Sequence, residues 1–310
     1  AERGKTKEAE QKLAEAKAKL PASSRLDRAF GEISIAQGKF EEGIAHYQTA
    51  LGRNAADAET RFLLGVAYRK MGNLPGATAE LDKVYAIDKD FPGLALERGI
   101  LFELSGNVQK ALDEFKGALA KAPNDADLQL RVAAAYVTIG KVDEAIPMLE
   151  KVMRDRPQSA EVYHFLGRAN LIKGGTAVVE SMRFLRRAVE LDPNRAEYHV
   201  YVAWASNELV PRQLGLAEES AEKALSLDKL SGDAYWQRGV CELAKGQLDD
   251  ALRDVQRALE LKPGRVEAHA TLAEVYDARN QPALAALEWR KAIQGNDKNP
   301  QWRARFGKML

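Results

Sequence analysis

Apolar residues recur along this chain at spacings of three and four, in short blocks that come in pairs. From Pro92 to Asp125 the pattern predicts two short amphipathic helices joined by a tight turn. Gly99 falls where the two helices come close. Phe102 and Phe115 give each helix one bulky apolar side chain. Gly106 and Asn107 form the turn, Ala111 and Ala118 keep the second helix slim, and Pro123 stops it.

The same unit recurs in phase. Eight copies are predicted at 24–57, 58–91, 92–125, 126–159, 160–195, 196–231, 232–265 and 266–299. The fifth and sixth are each 36 residues long and the others 34, with the extra residues expected between the paired helices, around Lys173-Gly174-Gly175 and Val210-Pro211-Arg212. Such insertions are cheap in a surface loop, or they build a local contact feature. Residues 1–23 are expected to be a capping helix or a truncated repeat, with Ala9, Leu13 and Ala16 on one face, and 300–310 a C-terminal capping helix. The absence of an initiator Met suggests a processed product or an excised piece.

Composition narrows the function classes. At 310 residues the chain is long for one compact core, and much of its 45% hydrophobic content is alanine, which suits slim, close-packed helices. A net charge of +1, from 46 basic and 45 acidic residues, gives no global electrostatic case for nucleic acid or an anionic membrane. The single cysteine, Cys241, excludes an intrachain disulfide and shares its repeat slot with apolar residues, so it is expected to be a small buried hydrophobe. Neither a long apolar run nor a signal peptide is visible. The default location is cytoplasmic, without direct membrane insertion.

The phased Leu-Gly, Tyr, Ala and Pro positions, such as Leu64-Gly65, Tyr68, Ala77 and Leu81 in the second unit, resemble the tetratricopeptide repeat family. Asn170, Ser206 and Glu242 depart from it at the first-helix aromatic, and Lys89, Lys229 and Asp297 at the terminal Pro. The resemblance implies an all-α fold, a right-handed α-α superhelical solenoid of helix-turn-helix units, with ligands held on a concave face lined by the first helices. It implies a non-catalytic scaffold for a protein or peptide partner, and it admits bacterial envelope, pilus, secretion or polarity assemblies. The alternatives are a substrate-recruiting arm of a larger enzyme and a structural spacer filled by another copy.

Enzymatic motifs are not evident. Gly4-Lys5-Thr6 lacks the upstream glycine of a phosphate loop, and His46, His164, His199 and His269 do not pair with another His or Cys at metal-ligand spacing. No cofactor or metal is expected. The candidate groove residues stand at the fifth and ninth positions of the first helices. They are Phe62, Val66, Leu96, Ile100, Leu130, His164, Arg168, Val200, Trp204, Trp236 and Val240. This row either packs against the adjacent repeat or awaits a ligand, and Trp204 and Trp236 favour the ligand. The second position is acidic, with Glu59, Asp127, Glu161, Glu197, Asp233 and Glu267. These carboxylates form a rim for a basic partner or complement the helix dipole. At the groove slots Phe62, Val66 and Leu63 rule against a carboxylate clamp of the chaperone-tail binders. At the sixth positions, Ala29, Leu63, Glu97, Arg131, Phe165, Tyr201, Gln237 and Thr271 make no asparagine ladder.

Overall fold

The computed structural model describes residues 11–12, 14–296 and 300–307, and every regular element among them is an α-helix. Ala9, Leu13, the Gly4-Lys5-Thr6 tripeptide, Asp297 and the last three residues lie outside the described residues. Two compact units divide the chain, Ala1–Ile139 and Gly140–Leu310. The first holds helical residues 14–19 (α1), then α2 (Ser24–Ala36), α3 (Phe40–Arg53), α4 (Ala58–Lys70), α5 (Leu74–Ile87), α6 (Leu94–Leu104), α7 (Val108–Lys121) and α8 (Ala126–Thr138). The second holds α9 (Val142–Asp155), α10 (Ala160–Lys173), α11 (Ala177–Leu191), α12 (Ala196–Glu208), α13 (Leu214–Leu227), α14 (Gly232–Ala244), α15 (Leu248–Leu261), α16 (Val266–Ala278), α17 (Pro282–Gly295) and α18 (Pro300–Gly307). Among the described residues no helix is long and apolar enough to cross a membrane.

Within each unit the closest packing joins the two helices of a repeat, such as α6 with α7 and α10 with α11. The second helix then packs on the first helix of the next repeat. Small residues set these contacts. A Cβ at Gly99 would lie 2.4 Å from the Phe115 ring, so α6 and α7 approach more closely than any side chain there allows. The three-residue turns between paired helices need a residue at positive φ, and Gly72 (80°) and Gly106 (76°) supply it. Asn280 takes that position at 58° in the last repeat. Caps fix the starts: Asp57 accepts from the Thr60 N–H at 3.2 Å, and Asn107 from the Lys110 N–H at 3.3 Å.

A second device recurs at the fourth position of the first helices. The side chains of Gln129, Tyr163, His199 and His269 each donate to a carbonyl six residues upstream, on Pro123, Pro157, Pro193 and Pro263 (2.6–3.2 Å). The shared slot of His199 and His269 thus ties the inter-repeat loop to the helix that follows. At the C-terminal end, Trp302 and Phe306 of α18 pack against the fully buried Trp289 and its alanine neighbours.

The extra residues of unit five do not all lengthen a loop. Its turn, Gly174 to Thr176, is as short as the one after α14, and the helices take up the insertion: α10 has 14 residues and α11 has 15, against 13 and 14 in α14 and α15. Only in unit six does the connection itself grow, to span Leu209–Gln213 between α12 and α13.

Candidate functional site

The first helices of the second compact unit present a row of aromatic rings and cations. Tyr201 and Trp204, one turn apart on α12, stack with ring centroids at 5.6 Å and planes 21° apart. Trp204 meets Trp236 of α14 edge-on at 5.1 Å. Arg168 of α10 sits 4.9 Å from the Tyr201 ring centre and 5.2 Å from that of Phe165. Arg265, just ahead of α16, lies 5.3 Å from Trp204 and 4.3 Å from Trp236. The stack is therefore bracketed by two guanidinium groups, each held over aromatic faces.

Of the supporting groups, His164 and Thr271 are buried. His164 is enclosed by Phe165, Tyr198 and Tyr201, and its Nε2 lies 3.3 Å from Glu197. Burial holds the His164 imidazole below its ordinary value against the pull of Glu197, so the ring is neutral at pH 7 and donates to that carboxylate. The hydrogen bond from His164, with Arg168 and Arg195 nearby, keeps Glu197 well below the usual carboxylate range. The Trp236 indole N–H donates to the Thr271 hydroxyl at 2.9 Å.

This placement sorts the groove residues expected from the sequence. In the second unit, Trp204, Arg168 and Val240 are half-buried and reach the surface. Trp236 is only 6% exposed and packs with Val255, Ala258, Ala268 and Leu272. Its expected role as a ligand anchor is corrected: Arg265, at the end of the same repeat, and Thr271 of the next close over it. Val200 and His164 are likewise buried in packing. In the first unit, Leu130 is buried, whereas Phe62, Val66, Leu96 and Ile100 are half-buried. Phe62 leans on Phe91 at 5.2 Å and joins the cluster around Leu81 and Leu94.

The acidic row is largely committed to ion pairs within and between repeats. Glu59 pairs with Arg28, Glu197 with Arg168 at 3.5 Å, and Asp233 with Arg265 at 2.9 Å. Glu267 also faces Arg265, at 3.3 Å. Asp127 and Glu161 are exposed. Among the described residues no group of three or more His, Cys, Asp or Glu side chains is arranged to hold a metal ion. Cys241 is buried, and its Sγ contacts the Leu214 carbonyl at 3.1 Å.

Three contributors stand outside the fifth and ninth positions: Phe165 and Tyr201 at the sixth, and Arg265 ahead of the helix. The signal in the sequence was the pair of consecutive aromatics at the sixth position in units five and six, where the other units carry none.

The structure is that of an α-helical repeat protein with an aromatic and cationic first-helix face. Tetratricopeptide repeat family matches cover residues 34–96, 104–169, 202–266 and 242–301, and the chain belongs to that family. It is similar to the TPR repeat-containing protein YpiA of Bacillus subtilis, 24% identical over 247 residues, covering 79% of this chain and 57% of that protein. It is similar also to the human mitochondrial import receptor subunit TOM70, 23% identical over 246 residues, covering 76% of this chain and 40% of that protein. The chain thus spans roughly half the length of these two curated relatives. The crystal structure of the APC/C hetero-tetramer Cut9–Hcn1 shares the fold with a TM-score of 0.66 at 15% identity, covering 94% of this chain and 56% of that one.

Proposed function

We propose that this chain is a non-catalytic protein-interaction scaffold that holds a segment of a partner protein on the first-helix face of α10, α12 and α14. The observation that carries this reading is the half-exposed Tyr201–Trp204 stack bracketed by Arg168 and Arg265. Its rings and cations are already fixed by intrachain contacts, so a partner meets a preorganised surface and less side-chain entropy is lost on binding. The Trp204 indole N–H and the Tyr201 hydroxyl have no partner within the described chain and can donate to a backbone carbonyl of the bound segment. Because Glu197, Asp233 and Glu267 balance the two arginines, apolar and aromatic contact drives binding and charge sets orientation. That the human relative is an import receptor subunit supports a protein as the ligand.

The test is a pull-down from lysate of the source organism with the wild-type chain and a Trp204→Ala variant of equal helicity. A specific protein is expected with the wild type, weakened in the variant by about 2 kcal/mol, roughly 30-fold. A partner held equally by both would place the contact elsewhere and sink the proposal. Trp204 is the residue to change, since truncating the buried Trp236 would also cost stability.

A further inference from the structure

The second-helix side of units five and six carries a separate feature. Three cavities run end to end beside α11, of about 520, 500 and 690 Å³. Val179 and Leu209 line both the first and the second, and Arg186 and Glu190 line both the second and the third, so the three form one trough. It follows α11 from Val178 to Glu190, about 18 Å at the helical rise. Val189, Val202 and Leu216 give it an apolar floor. At its open end stand two bare aliphatic side chains, Val179 at 63% and Val210 at 97% exposure. These are the two repeats with extra residues, and the lengthened connection of unit six supplies Leu209 and Val210 to the wall.

One charge at the waist of the trough is uncompensated. Glu190 is paired with Arg187 at 2.9 Å, and Arg183 with Glu180 at 2.8 Å. Arg186 lines both adjoining cavities and has neither an ion pair nor a hydrogen bond among the described residues. Further along, Glu219, Glu222 and Lys223 share one turn of α13, where charges of both signs screen one another.

We infer that this trough docks one amphipathic helix of a partner protein, about three turns long, carrying a carboxylate at its middle. The helix lays an apolar stripe on Val189, Val202 and Leu216, and its carboxylate meets Arg186. A wholly apolar segment would strip water from that guanidinium without replacing it, so the occupant must be acidic at that point. The trough is about 18 Å long with an apolar floor, a setting that suits an amphipathic helix laying its apolar face into a groove.

The probe is a fluorescein-labelled, stapled helix of about 14 residues with a leucine stripe and a central Glu, beside its twin with Lys at that position. Both are titrated by fluorescence anisotropy into the whole chain, as wild type, Arg186→Glu, Val179→Asp and Trp204→Ala. Arg186 and Val179 are exposed, so these variants keep the fold. The wild type is expected to bind the Glu helix about tenfold tighter than the Lys helix, and Arg186→Glu to reverse that order. Val179→Asp should weaken both, and Trp204→Ala should change neither. The inference fails if neither helix binds, if wild type and Arg186→Glu do not discriminate, or if Trp204→Ala abolishes binding, which would put the helix on the first-helix face.

Discussion

Glu242 shows how far one position can depart from its repeat. It takes the slot that holds Tyr68 and Tyr276 elsewhere, is buried on α14, and faces Asp254 beside Arg238. Burial first, then repulsion from Asp254, pushes its carboxyl up to about 7, and its Oε2 has no hydrogen-bond partner. Because the folded value lies above the unfolded one, this group favours folding below the unfolded value, and that contribution is lost as pH rises through about 7. Glu242→Gln should therefore raise the melting temperature at pH 8 by about 3 °C and remove the decline this group causes between about pH 4.5 and 7, read by circular dichroism. The small positions give a second residue-scale outcome. Gly99→Ala should cost about 1–3 kcal/mol in urea unfolding, because the methyl group meets the Phe115 ring. Gly117→Ala, on an exposed helix face with nothing within 4 Å, should stabilise by about 0.4–1 kcal/mol.

At the scale of the element, the turns and caps explain why the helices start and stop where the sequence indicates. Asn280 is the exception that tests the turn rule: it holds at φ 58° the position glycine fills in other repeats. Asn280→Gly should stabilise α16–α17 by a few tenths of a kcal/mol, and Asn280→Val should destabilise it by more than about 1 kcal/mol, in the same urea assay. The polar residues that replace the first-helix aromatic in units five and six bond within their own helix. Asn170 donates to the Leu166 carbonyl and Ser206 to that of Val202, both at 2.8 Å. A departure from the repeat pattern is therefore absorbed locally, without breaking the helix that positions Arg168 or Trp204.

For the whole molecule, each compact unit is a series of small cores between successive helices, and contacts run between near neighbours. Stability in such an array is close to a sum of repeat and nearest-neighbour contributions. Leu185→Ala, at a fully buried position between α11 and its neighbours, should cost about 2–5 kcal/mol. Amide exchange should quicken through α10–α13 and remain unchanged in α4–α6. Loss of protection throughout the chain would show one cooperative block instead.

The sequence by itself determined the helix pairs, their glycine contacts and their turns, because each depends on residues close together in the chain. Gly99 at the close approach of its helix pair and Gly72 in its turn were readable from spacing alone. It also marked Trp204 and Arg168, which share the ninth first-helix position, although it grouped them with Trp236 at the fifth and could not tell which of these the fold would bury. Only the tertiary structure decided that Arg265 and Thr271 bury Trp236, that Glu197 and Asp233 are tied to arginines a helix pair away, and that Phe165 and Tyr201 join the stack. The ion pairs and the Trp236 hydrogen bond bridge residues 29 to 35 positions apart. They depend on the rotation of one helix pair against the next, which a periodic pattern repeats but does not specify.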